Sequence, residues 1–209
     1  MLLAARRSAV EAATDAQRQL FSLIIAAPEP IRGRFRGQKL PGMLTIATGL
    51  RVHSSWDAET TVTVTVLRSL ARRARDLARE ASAHEKAILG IVRSWRPDLL
   101  AQPGVGPIVA ATVLCAWSHP GRIHSEAAFA MLAGVAPIPA TSGQVTTRHR
   151  LNRAMHTIAL SRIRYDPTTR DYVARRTIEG KTPREIKRCL KRYIARDLYR
   201  LLEHQPSPA

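Results

Sequence analysis

Nine residues between positions 67 and 95 leave this chain little freedom of architecture. Leu67, Leu70, Ala74, Leu77, Ala81, His84, Ile88, Ile91 and Trp95 follow one another at alternating steps of three and four. A 3.5-residue repeat keeps one stripe of a helix turned toward a partner as both supercoil, so the spacing predicts a helix over 57–96. The partner is either a second copy of the chain, giving a dimeric coiled coil, or the helix expected over 1–27, folded back as an intramolecular hairpin. His84 reads as a packed polar residue that sets register rather than a metal ligand. Thr60 to Val66 alternates threonine and valine as a strand does, which blurs the start of the helix, and Pro97 closes it.

The helix over 1–27 rests on good helix formers, with Leu3, Val10, Ala13, Leu20 and Ile24 as its apolar positions, and Pro28 and Pro30 end it. From 28 to 58, prolines and glycines predict a loop with at most one short helix near 43–51. Its cluster Arg32, Arg34, Arg36 and Lys39 reads as a solvated surface.

Charge then narrows the function. Lys and Arg number 33 against 16 Asp and Glu, a formal charge of +17. An excess of this size attracts polyanions, while 45% hydrophobic residues allow a real core. Cys115 and Cys189 lie far apart without Cys-x-x-Cys spacing, which excludes a zinc knuckle and a disulfide framework. No apolar run approaches the roughly 18 residues of a membrane span. The expectation is a cytoplasmic, nucleoid-associated protein whose partner is nucleic acid and not a membrane.

A second region opens at Leu99, so the expected domains are 1–98, a helical linker, and 99–209. Gln102 to Pro107 is a glycine hairpin that leads into the apolar run Ile108–Leu114. Gly104 and Gly106 permit a tight turn and close backbone approach, and free amides at the following helix start would face a phosphate. This is the pattern of a helix-hairpin-helix, a DNA-backbone clamp; a plain packing hairpin is the alternative. Short helices are expected over Ser125–Gly134, 150–164 and 167–179, the last ended by Gly180. Thr182-Pro183-Arg184-Glu185 is a capping box opening the final helix. That helix is expected to bury Ile186, Leu190, Ile194, Leu198 and Leu201. Arg184, Arg188, Arg192, Arg196 and Arg200 form a stripe along it, about 6 Å per step, widened by Lys187 and Lys191. Such a stripe suits a phosphate backbone, or is simply a solvated face.

Candidate chemistry centres on Ser142. It is a small nucleophile beside Gly143, followed by Arg148, Arg150 and Arg153, whose guanidinium groups suit the charge that develops when a serine attacks a phosphodiester. The histidines show no metal-ligand spacing and the carboxylates are scattered singly, so no metal site is expected.

Several segments in order, Gln102 to Pro107, Phe129 to Pro137, Ser142-Gly143 and the basic stretch leading to Leu160-Ser161-Arg162, resemble the C-terminal domain of insertion-sequence 110 type transposases. These are bridge-RNA-guided DEDD recombinases of bacterial mobile elements. The resemblance covers roughly 99–204 and extends to the coiled coil that joins that domain to the N-terminal one. It implies DNA strand exchange through a covalent phosphoserine at Ser142, with DNA and a guide RNA as partners and a homo-oligomer formed through the coiled coil. The family's magnesium-binding N-terminal domain has no counterpart here, so no cofactor is expected in this chain, and DNA binding without autonomous recombination is the expected behaviour. Leu151-Asn152-Arg153 runs straight into Ala154-Met155-His156, which implies a shortened loop after Ser142. A non-catalytic nucleic-acid-binding module, which as a dimer would interfere with an intact transposase, is the competing class.

Overall fold

The computed structural model describes residues 1–136 and 146–204, the side chains of 146–149 excepted. Every regular element among them is helical: α1 (Leu2–Ala26), α2 (Glu29–Arg32), a 3-10 turn (Gly33–Phe35), α3 (Leu40–Gly49), α4 (Ala58–Trp95), α5 (Pro97–Leu100), α6 (Pro107–Trp117), α7 (Glu126–Leu132), α8 (Thr146–Tyr165), α9 (Pro167–Ile178) and α10 (Pro183–Glu203). The mainly helical class expected from the sequence is the class found. The helices form two compact units, Met1–Ala87 and Ile88–Ala209, with the boundary inside α4.

In the first unit α1 and α4 run antiparallel. Arg6 pairs with Glu85 at 2.9 Å, while Leu20 and Ile24 share a core with Val64, Leu67 and Ala71. The α4 stripe therefore has an intramolecular partner. On α1 the buried positions are Ala9, Ala13, Ala16, Leu20 and Ile24, whereas Val10, expected inside, is 38% exposed. Alanines on this stripe let two helix backbones approach closely. Along α4, Leu67, Ala74, Ala81 and Ile88 are buried as predicted, but Ala71 is buried deeper than Leu70, and Val92 replaces Ile91. Trp95 lies 54% exposed. The cause is geometric: an α-helix near 3.6 residues per turn drifts about 20° per heptad from a strict 3.5 repeat.

The region 28–58 holds more helix than expected. Pro30 and Pro41 sit in the first turns of α2 and α3, where a missing N–H costs nothing. Ile31, Phe35, Ala47 and Leu50 from this region complete the first unit's core. Part of its basic cluster is engaged, since Glu29 pairs with both Arg32 and Arg36. Those contacts, the Arg32 hydrogen bond foremost, hold the Glu29 carboxyl below its ordinary value. The strand-like stretch 60–66 is helical, and the start of α4 is marked by Asp57, whose Oδ1 accepts from the Thr60 N–H at 2.7 Å.

The second unit packs α8 against α6, α9 and α10, with α7 on α10. Phe129, Leu151, Met155, Ile158, Ile194, Leu198 and Leu202 are its largest wholly buried side chains besides Leu99. Helix starts carry the expected chemistry: Ser125 Oγ accepts from the Ala128 N–H, and the Thr182–Glu185 capping box is complete. The last helix buries Ile186, Leu190, Ile194 and Leu198 as predicted, with Ala195 and Leu202 added and Leu201 only half-buried. One buried cation ties the unit's first turn to its last. The Arg96 guanidinium donates to both Asp98 oxygens at 2.9 and 2.5 Å, to the Leu201 carbonyl at 2.7 Å and to the Leu202 carbonyl at 3.2 Å. It also lies 5.9 Å from the ring centroid of Trp117, whose Nε1 donates to Glu203 at 2.7 Å.

Candidate nucleic-acid interface

The two glycines of the hairpin do different work. Gly104 has φ +79, and a Cβ there would lie 3.0 Å from Ser161 Cβ and 3.1 Å from the Ile158 carbonyl of α8. Only glycine fits that approach. Arg162 Nε donates to the Pro103 carbonyl at 3.0 Å and fixes the hairpin to the same helix. Gly106, in contrast, is exposed at the N-cap of α6 with open space around it. The structure thus makes Gly104 a packing position and leaves Gly106 accessible.

A second constellation gathers where α7 ends. The Val135 N–H reaches the Ala130 carbonyl at 2.9 Å and the Gly134 N–H the Met131 carbonyl at 3.0 Å. With Gly134 at φ +64, this is a Schellman stop. Asn152 of α8 donates from Nδ2 to the Gly134 carbonyl at 2.7 Å and accepts from Lys191 Nζ of α10 at 3.0 Å. Arg192 Nε donates to the Val135 carbonyl at 3.2 Å. Burial, and then the neighbouring Arg188, lowers the Lys191 ammonium below its ordinary value. Arg150 and Arg153 are exposed on the first turns of α8. The chain between α7 and α8 carries Ser142, which lies outside the described residues, as does the side chain of Arg148.

The arginine stripe of α10 is divided by one carboxylate. Glu126 of α7 pairs with Arg196 at 3.1 Å and with Arg200 at 2.5 Å. Arg184, Arg188 and Arg192 have no carboxylate partner among the described residues. Glu126 lies far from α10 in sequence, so its role was invisible to spacing arguments. Among the described residues no group of three or more His, Cys, Asp and Glu is placed to hold a metal ion. No helix described is long and apolar enough to cross a membrane.

Residues 97–174, from α5 into α9, match the family model Transposase IS116/IS110/IS902. The chain is also similar to the "Insertion element IS900 uncharacterized 42 kDa protein" of Mycobacterium paratuberculosis, at 36% identity over 92 residues. That alignment takes in 40% of this chain and 23% of the relative's length. No solved structure matches.

Proposed function

We propose that this chain binds the DNA backbone through the face made by α8 and α10 and serves the transposition of a bacterial insertion sequence. The observation that carries the reading is uncompensated charge. Arg150, Arg153, Arg184 and Arg188 are exposed and have no carboxylate partner among the described residues. Arg150 and Arg153 fall within the family match and Arg184 and Arg188 a few residues beyond it. Phosphate contacts by such groups supply affinity without reading sequence. Gly106, at the open start of α6, adds backbone amides to the same task.

In the catalytic part of this reading, Ser142 Oγ attacks phosphorus, a P–O bond to the neighbouring nucleoside breaks, and the strand is held as a phosphoserine ester. The serine proton passes, through solvent or a base, to the departing nucleoside oxygen, which leaves as a free hydroxyl, and Arg148, Arg150 and Arg153 stabilise the charge on the phosphoryl oxygens. A guide RNA and a second copy of the chain are the further partners this reading assigns.

Two measurements test it. Duplex affinity should fall with salt, with a log–log slope of about −0.9 per phosphate contact, and each of Arg184→Gln and Arg188→Gln should flatten it by about one contact. A slope near zero refutes backbone binding. A nicked or mismatched substrate should yield a denaturation-resistant protein–DNA adduct that Ser142→Ala abolishes; an adduct that survives the substitution removes the serine from the reaction, and binding with no adduct favours the non-catalytic module.

A further inference from the structure

Backbone binding leaves one pocket unexplained. At the junction of α9 and α10 a cavity of about 230 Å³ is faced by Arg176, Lys181, Arg188 and Arg192, with Ile186 and Cys189 behind them. The one carboxylate in its wall, Glu185, is already committed. Its Oε2 accepts from the Thr182 N–H at 2.9 Å and the Thr182 hydroxyl at 2.8 Å. Arg176 is shared with Glu179 at 2.5 Å, while Lys181 and Arg188 have no carboxylate partner among the described residues. The cavity therefore presents net positive charge to a small anion.

An independent feature points the same way. Tyr172 Oη is buried and has no hydrogen-bond partner among the described residues. It lies beside Arg176 and Cys189, two of the cavity's walls, and burial raises the hydroxyl above its ordinary value, so that it remains a donor. The Tyr172 ring has Arg175 and Arg176 at 5.8 and 5.9 Å and meets Tyr193 edge to face at 5.9 Å. Tyr193 itself is 47% exposed. Basic groups interleaved with an accessible aromatic ring are the equipment of a single-strand site, because a duplex keeps its bases stacked on each other and offers no face to a tyrosine.

We infer that the α9–α10 pocket holds a phosphate of an unpaired nucleotide, with Lys181 and Arg188 on its oxygens and the adjoining base stacked on Tyr193. The inference rests on the nucleic-acid reading above and adds the class of strand.

The test compares the full chain and two variants by fluorescence anisotropy, with labelled oligothymidylate of about ten nucleotides, within the usual site size, and a duplex of the same length. Tyr193→Ala should weaken the single strand about 5- to 150-fold, the range for losing one stacked base, and leave duplex affinity within twofold. Tyr193→Phe should retain both. Equal losses on both substrates, or none on the single strand, overturn the inference and leave duplex binding standing. A wild-type chain that binds neither substrate overturns both readings. Inorganic phosphate that stabilises the protein as well as the oligonucleotide does would show a simple anion site and overturn the stacking.

Discussion

Replacing Arg96 with methionine keeps the aliphatic stem and deletes the guanidinium, which makes it the sharpest probe of the second unit. The side chain is 6% exposed and donates four hydrogen bonds, two to Asp98 and two to the last carbonyls of α10. Breaking a buried ion pair costs about 3–5 kcal/mol, and the Asp98 side chain, at 27% exposed, recovers part of that by rehydration. The two carbonyls lose charge-assisted partners worth about 1.5–3 kcal/mol each at most, less what water returns. A net loss of about 2–4 kcal/mol follows. With a urea slope of about 2 kcal/mol/M, the midpoint should fall by about 1–2 M. Tryptophan fluorescence in a Trp56→Phe background reports it, since Trp95 and Trp117 both lie in the second unit. Arg96→Lys should recover little, because a point charge cannot span a carboxylate and two carbonyls. The pH dependence has a definite sign. Hydrogen bonding to Arg96, and then its charge, hold the Asp98 carboxyl below its ordinary 3.8. The pair's contribution is complete above that value and is lost as pH falls through the lower folded one, so the gap between wild type and variant should begin to narrow below about pH 4, down to the part carried by the two carbonyl bonds. A midpoint change under about 0.3 M at neutral pH would refute the clamp.

Gly104→Ala should destabilise by about 2 kcal/mol or more, combining a left-handed φ with contact on an α8 carbonyl, whereas Gly106→Ala should change stability by less than about 1 kcal/mol; calorimetry on the two variants separates packing from exposure. Thr182→Ala should lose about 1 kcal/mol by dismantling the capping box, and hydrogen exchange should localise the loss to the first turn of α10.

Much of the fold was legible because it depends on local chemistry. Ser125, Thr182 and Gly180 announce helix ends by hydrogen bonds that span a few residues, and all three do so in the structure. The region 60–66 only blurred the start of a helix that was expected there, because β-branched residues lower helix propensity by less than about 1 kcal/mol each, and burying Val64 and Leu67 against α1 outweighs it. The signal that would have corrected this was Asp57, an N-cap three residues before Thr60. The register of the α4 stripe slipped at its ends because a strict heptad was imposed on a helix that turns slightly less per residue. Of the candidate site, the basic stripe was legible as composition, but its division was not: Glu126 and Arg196 meet only through the packing of α7 on α10. Arg96 was missed for the same reason, although an arginine before Pro97 and Asp98 is a local hint that a fork–carboxylate pair is present.

The Arg96 clamp also carries a consequence in time. Its carbonyl partner Leu202 lies 106 positions further along the chain. At a ribosomal rate of about 5–20 residues per second, roughly 5–20 s pass between the synthesis of the guanidinium and that of its last acceptor. During that interval the nascent unit holds a charge it cannot yet bury, so closure of α10 must be a late step, and a chain interrupted before Leu202 would be a substrate for proteases rather than a stable partial fold.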